Sequence, residues 1–87
     1  HSIVPNPFNP CVTVFYEVRE SGPVTISVHD VTGRLLRELV DEVRPTGLSE
    51  VRWDGRDMSG RSVASATYII RAAINDRVES KKVMLVR

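Results

Sequence analysis

The chain has 87 residues and a formal net charge of +1, with 41% hydrophobic and 26% charged residues, which fits one folded globular domain. The near balance of twelve basic and eleven acidic residues argues against nucleic acid or an anionic membrane as the main partner, because both require a concentrated basic field. No run approaches the roughly 18 apolar residues of a transmembrane segment, and the single Cys11 cannot form an internal disulfide.

Residues 1–10 are predicted to be an extended, proline-rich lead-in to the domain. Pro5, Pro7 and Pro10 fix the backbone φ angle and remove amide donors, so this segment is not helical. Phe8 is expected to plug one end of the core. The alternative, a proline-rich ligand for an aromatic groove, would require repeated P-x-x-P motifs in an otherwise disordered stretch and is disfavoured.

Two strands are predicted next, over residues 12–18 and 24–29. In both segments apolar and polar side chains alternate, which is the period of a half-buried strand, and Phe15 on the mixed face is the exception. A turn at residues 20–23 separates them. We therefore expect the two strands to form a hairpin.

Residues 34–40 are ambiguous between a strand and a helix. Their four aliphatic residues lie at i, i+1, i+4 and i+5, as in a helix, but the segment is short and every neighbour is a predicted strand. We favour the strand. Residues 41–46 are predicted to be a polar loop, and Gly47 opens the next strand.

That next strand ends at Trp53, and the chain is organised around it. As the largest source of buried area, Trp53 indicates a strand in the middle of the fold. An Asp/Gly-rich turn over residues 54–60 leads on to a strand at residues 67–74. Asn75 and Asp76 form a tight turn before the last strand, residues 78–87.

About seven strand candidates, spaced roughly ten residues apart and joined by Gly, Pro, Asn and Asp turns, predict an all-β fold. The architecture expected is an immunoglobulin-like antiparallel β-sandwich without the cysteine pair of antibody domains. The predicted core consists of Val14, Tyr16, Val18, Val24, Ile26, Val28, Leu36, Leu39, Val51, Trp53, Tyr68, Ile70, Val83 and Leu85.

No catalytic residue, cofactor or metal site is predicted. Asp54 and Asp57 are weak candidates for calcium, but their spacing matches no calcium loop and equally suits a tight turn. His29 is assigned to a solvated strand face, and Cys11 is interpreted as a small apolar side chain. Five aromatic residues are too few for a sugar-binding platform once the core is filled.

Five motifs in order resemble one family pattern. They are P-N-P-F-N-P at 5–10, G-P-V-T-I-S-V-H-D-V-T-G-R-L-L-R-E-L-V-D at 22–41, W-D-G-R-D-x-x-G-R at 53–61, S-x-x-Y at 65–68 and K-K-V-M-L-V-R at 81–87. The chain resembles the C-terminal sorting domains of type IX secretion cargo and the similar FlgD-like immunoglobulin-like domains, named after the flagellar hook-capping protein. The resemblance covers residues 5–87.

This resemblance implies a single module, residues 1–87, at the C-terminus of a larger secreted or surface-attached bacterial protein. Its partners would be the secretion and cell-envelope machinery and the parent's upstream domains. The family's terminal signal falls on Lys81, Lys82, Val83, Met84, Leu85, Val86 and Arg87. Ala66 replaces a common Gly, and Cys11 a usual Ser or Thr. The alternative is an accessory or spacer domain, binding glycan or protein or of the hook-cap type, without sorting activity.

Overall fold

The computed structural model describes residues 2–4 and 11–86, and seven antiparallel strands account for most of them. The predicted roles of Phe8 and Arg87 therefore lie outside the described residues. Among the described residues, no helix has the length and apolar character that would span a membrane. The strands are β1 (Ser2–Val4), β2 (Val12–Val18), β3 (Gly22–His29), β4 (Leu35–Arg44), β5 (Gly47–Trp53), β6 (Ala66–Ile74) and β7 (Arg77–Leu85).

The strands form two sheets, one with the order β1-β2-β5 and the other with the order β4-β3-β6-β7. Their inward side chains make one apolar cluster, so the predicted immunoglobulin-like β-sandwich is confirmed. Strand β1 was not predicted, because Ser2–Val4 lies within the segment expected to be an extended lead-in. It pairs with residues 13–15 of β2.

The expected hairpin between β2 and β3 is wrong, because the two strands lie in different sheets. β2 instead pairs with β1 and β5, while β3 pairs with β4 and β6. The apolar faces of β2 and β3 both point into the core from opposite sides. Alternation indicates which side chains are buried, but it carries no information about which strand is the hydrogen-bonded neighbour.

The segment beginning at residue 35 is a strand, as favoured, but it is longer than predicted. β4 continues to Arg44 and takes in most of the expected loop at 41–46. Register shifts in its pairing with β3 leave Leu36 and Leu39 without an opposite residue. Each such bulge adds one residue and breaks the period of two, which explains why the aliphatic spacing looked helical.

The strand that carries Trp53 was predicted to lie in the middle of the fold, and this is wrong. β5 is an edge strand of the three-stranded sheet. Trp53 is its last residue and has 0% exposure. The indole packs edge-on against the ring of Tyr68, with centroids 5.4 Å apart, and Nε1 donates to the carbonyl of Arg56 at 2.9 Å. A large side chain thus reaches the core from the end of a peripheral strand.

The core follows the predicted alternation closely. Twelve of its fourteen predicted residues are buried, whereas Leu39 and Val51 are half-buried and pack against the cluster. Val12, Val40 and Ala72 are also buried and were not among the predicted core residues. Leu39 is displaced by its bulge, and Val51 lies on the edge strand β5.

Candidate functional site

β7 contains most of the residues assigned by resemblance to partner recognition. It pairs with β6 along its whole length and is the last strand in the order of the four-stranded sheet. The register is set by the predicted two-residue turn at Asn75 and Asp76. Asn75 adopts a φ of 55°, and its Nδ2 donates to the carbonyl of Glu20 at 2.8 Å, which ties this turn to the one between β2 and β3.

Regular alternation along β7 divides these residues between two sides of the sheet. Val83 and Leu85 point inward and are 1% and 0% exposed. Lys82 and Met84 lie on the outer face, where Met84 is 48% exposed. Lys81 shares the inward side with Val83 but is exposed, so the two adjacent lysines lie on opposite sides of the sheet.

The predicted recognition segment is therefore partly core. Val83 and Leu85 cannot contact a partner while the domain is folded, whereas Lys81, Lys82 and Met84 are exposed. Val86 follows the strand and is 46% exposed.

The outer faces of β6 and β7 form one continuous surface, which we call the β6–β7 outer face. Cross-strand neighbours on it are Thr67 and Met84, Ile69 and Lys82, Arg71 and Ser80, and Ala73 and Val78. This surface carries two cations and no carboxylate. Alternation along β6 places Ile69 and Arg71 on one face of the strand, but their proximity to Lys82 depends on the register of β6 against β7.

Carboxylates gather at the opposite edge of the same sheet, on β4. Glu38 and Asp41 are exposed there, and a hydrogen bond and repulsion from Asp41 raise the pKa of Glu38. The outer surface of the four-stranded sheet is thus acidic at the β4 edge and cationic at the β7 edge.

His29, expected on a solvated face, is half-buried and held at both ring nitrogens. Its Nε2 lies 2.9 Å from Ser27 Oγ, and its Nδ1 lies 3.2 Å from the carbonyl of Gly33. A serine hydrogen-bonded to a histidine is also part of many nucleophilic catalytic sites. Ser27, however, is only 6% exposed, so its hydroxyl is not accessible to a substrate. The arrangement anchors the turn that follows β3.

The two calcium candidates are both engaged within their own turn. Asp54 Oδ1 accepts from Arg37 Nη1 at 3.0 Å and from the backbone N–H of Arg56 at 3.1 Å. Asp57 Oδ1 accepts from the backbone N–H and hydroxyl of Ser59 at 3.0 and 2.7 Å. Within residues 2–4 and 11–86, no group of three or more His, Cys, Asp or Glu is placed to hold a metal ion.

The Asp57 turn has a counterpart at Asp30, because D-M-S-G-R at 57–61 repeats the pattern of D-V-T-G-R at 30–34. In each loop the aspartate accepts from the hydroxyl and N–H of the residue two positions on and from the N–H of the arginine. These hydrogen bonds, first among them the hydroxyl bond, lower the pKa of both Asp30 and Asp57. This repeat was not predicted from the sequence, because only Asp, Gly and Arg are identical between the two segments.

A groove of about 390 Å³ lies beside the β6–β7 turn, with Ala72 and Ile74 among its lining residues. Its charged residues are of both signs, and Glu17 there forms an ion pair with Arg19 at 3.3 Å. Such a mixed and open surface does not indicate a ligand class.

Comparison with solved structures reproduces the fold in three larger proteins. PorZ of Porphyromonas gingivalis, an essential bacterial surface component of the type IX secretion system, matches 99% of this chain at 24% identity with a TM-score of 0.69. Latent dimeric PorU of the same organism matches 98% at 22% identity with a TM-score of 0.77. FlgD of Xanthomonas campestris, studied for hook capping in flagellar assembly, matches 97% at 21% identity with a TM-score of 0.68.

The coverage of these proteins is unequal, since the chain spans 11% of PorZ and 9% of PorU but 62% of the FlgD structure. At these identities the likeness establishes the fold. A comparison with curated proteins gave no match. The family model described as the FlgD Ig-like domain matches residues 14–77, which include most of β2, all of β3 to β6 and the Trp53 turn. The chain therefore belongs to the FlgD Ig-like domain family.

Proposed function

We propose that this chain is a non-catalytic C-terminal sorting and anchoring module of a larger secreted bacterial protein, recognised by export machinery at the outer membrane. Its similarity to small parts of PorZ and PorU supports a role as a module of a much longer chain. Its location would be outside the cell or on the cell surface, and its other partners would be the upstream domains of its parent.

The observation that carries the proposal is the construction of β7. Val83 and Leu85 fix the strand in the core, while Lys82 and Met84 are held exposed on a defined face. A partner can therefore read the exposed side chains of this strand without unfolding the domain. Because the backbone of this strand is already fixed by its pairing with β6, binding costs no backbone ordering, which favours recognition.

The test is a reporter protein fused to residues 1–87 and expressed in a type IX-competent bacterium. Deleting residues 81–87 would also remove Val83 and Leu85 from the core, so charge reversal is the cleaner perturbation. We expect the wild-type fusion to reach the medium or cell surface, and the double variant Lys81→Glu/Lys82→Glu to accumulate inside the cell. A thermal unfolding curve of each variant shows whether the fold is intact.

The matched control is Arg52→Glu/Arg61→Glu, which makes the same change of charge at exposed positions outside β7 and outside the groove beside the β6–β7 turn. We expect this control to be exported like the wild type. Retention of the wild-type fusion, or equal export of the two double variants, would contradict the proposal.

A second candidate function is an accessory or spacer domain without sorting activity. The observation that favours it is the family match itself, together with the likeness to FlgD, a flagellar protein. A folded wild-type fusion that is never exported, or an internal position of this domain in its parent protein, would support this alternative.

A further inference from the structure

The centre of the β6–β7 outer face is an arginine between two small residues. In the sheet register, Arg71 lies between Ser27 of β3 and Ser80 of β7. Neither serine is large enough to cover a guanidinium, and Arg71 is exposed. Lys82 lies diagonally from it, at a Cα separation of about 7–8 Å for such positions.

Arg71 also differs from five other arginines of this domain in having no carboxylate within ion-pair distance among the described residues. Its guanidinium has no ion-pair partner among the residues that the structure describes. Glu38 and Asp41, on the outer surface of the same sheet, lie beyond β3 and interact with each other. Arginines that do have a carboxylate within ion-pair distance are Arg19, Arg34, Arg37, Arg44 and Arg56.

Apolar side chains adjoin the two cations on this face. Ile69 is directly opposite Lys82 and is half-buried, and Met84 is 48% exposed two positions further along β7. Exposed methionine adapts its shape readily to a partner surface. The face therefore combines a planar guanidinium, an ammonium group and an apolar contact.

We infer that the β6–β7 outer face is the docking surface for the partner in export, and that this partner presents a protein surface with carboxylates around an apolar contact. The inference rests on the proposed function, and it adds the location of the recognition surface on this domain and the chemistry of the partner. A guanidinium binds carboxylate through two parallel hydrogen bonds, and the ammonium group of Lys82 adds a second positive charge on the same face. Because Ile69 and Arg71 lie on β6, recognition requires the folded sheet and not a linear terminal sequence.

A protein partner is favoured over an anionic membrane. Stable attraction to lipid headgroups requires a cluster of several basic residues, whereas this face has two. The flat strand surface also lacks the long apolar stripe that inserts between lipids. The complementary charges on the face of a protein partner would instead set orientation and specificity.

The test uses single charge reversals in the reporter fusion, each with a matched control. Arg71→Glu is compared with Arg52→Glu, an exposed arginine on the other sheet, and Lys82→Glu with its neighbour Lys81→Glu. We expect Arg71→Glu and Lys82→Glu to lower exported reporter about tenfold, because each leaves a partner carboxylate facing a like charge. Arg52→Glu should export like the wild type, Lys81→Glu should lower export less than Lys82→Glu does, and thermal unfolding should show all four variants folded. Arg71→Gln replaces Arg71→Glu if the reversal unfolds the domain.

The outcomes separate the inference from the function on which it rests. If the wild type is exported and Arg71→Glu matches Arg52→Glu, the inference is refuted and the proposed function stands. Equal loss for Lys81→Glu and Lys82→Glu would indicate a linear signal and would also refute it. Retention of the wild-type fusion would defeat the proposed function, and the inference with it.

Two measurements on the purified domain address other occupants of this face. If Arg71→Glu abolishes binding to phosphatidylglycerol vesicles while export is unchanged, the face contacts lipid. If Arg71→Glu converts a dimer into a monomer in sedimentation while export is unchanged, the face contacts a second copy. Either result would overturn the inference, and we expect a wild-type monomer that does not bind the vesicles.

Discussion

Two buried tyrosines in this domain differ in whether the hydroxyl has a partner. Tyr16 is 1% exposed, and its buried Oη has no hydrogen-bond partner in the part of the chain that the structure describes. Tyr68 is 5% exposed, and its Oη donates to the carbonyl of Ala64 at 2.5 Å. We predict that the same substitution, tyrosine to phenylalanine, changes stability in opposite directions at the two positions.

The magnitudes follow from the cost of an unsatisfied polar group and the value of a satisfied one. Tyr16→Phe removes a hydroxyl whose burial costs about 1–3 kcal/mol, so the free energy of unfolding should rise by about 1 kcal/mol. Tyr68→Phe removes a hydrogen bond to the Ala64 carbonyl, so stability should fall by about 1 kcal/mol. The two variants should differ by about 2 kcal/mol.

The assay is equilibrium unfolding in urea, followed by the fluorescence of the single tryptophan, Trp53, and by circular dichroism. With a slope of about 1 kcal/mol per molar urea for a domain of this size, the two midpoints should be about 2 M apart. The wild type should lie between them. A Tyr16→Phe midpoint as low as that of Tyr68→Phe would mean that the Tyr16 hydroxyl is satisfied, and the reasoning would fail.

Three further predictions concern the core and the carboxylates. Trp53→Ala should lower the free energy of unfolding by about 3–5 kcal/mol, measured by circular dichroism, and a melting curve like that of the wild type would contradict its burial. Asp30 and Asp57 have pKa values lowered below 3.8 in the folded state, so their stabilisation is complete above that pH and is lost as the pH falls through the folded values. Acid unfolding should therefore be less steep for Asp30→Asn/Asp57→Asn than for the wild type, and superimposable acid titrations would refute this. The pKa of Glu38 is raised, so its ionised form opposes folding; Glu38→Gln should stabilise the domain at neutral pH and lose that advantage in acid, and an unchanged midpoint at neutral pH would count against it.

The core was predictable because its signal is local. Along β2 and β6, each inward residue is two positions from the next, so Tyr16 and Tyr68 could be assigned to the interior from the pattern around them. The burial of the Trp53 side chain was predicted correctly, but the position of its strand within the sheet was predicted wrongly. Size predicts burial of an indole, but an edge strand whose end reaches the core satisfies the same requirement as a central strand.

Pairing and bulges were not predictable, because both depend on contacts between distant segments. The turn at residues 20–23 looks like a hairpin turn whether the chain pairs with itself or crosses to the other sheet. The bulges at Leu36 and Leu39 replace the strand period by spacings that resemble a helix.

The candidate site was predictable in part for the same reason. Alternation predicts that Lys81 and Lys82 lie on opposite sides of β7, but the resemblance to the family assigned both lysines to the same terminal signal. The position of Arg71 beside Lys82 follows from the pairing of two strands, and no motif indicates it.

The place of Val83 and Leu85 in the core also bears on synthesis of the protein. These residues are translated after all the other buried ones, so a nascent chain still lacking them has an incomplete interior facing water. Folding that relies on pairing between distant strands is also intrinsically slow. The emerging polypeptide should therefore stay open until β7 has left the ribosome, and chaperones would have access to it for that interval.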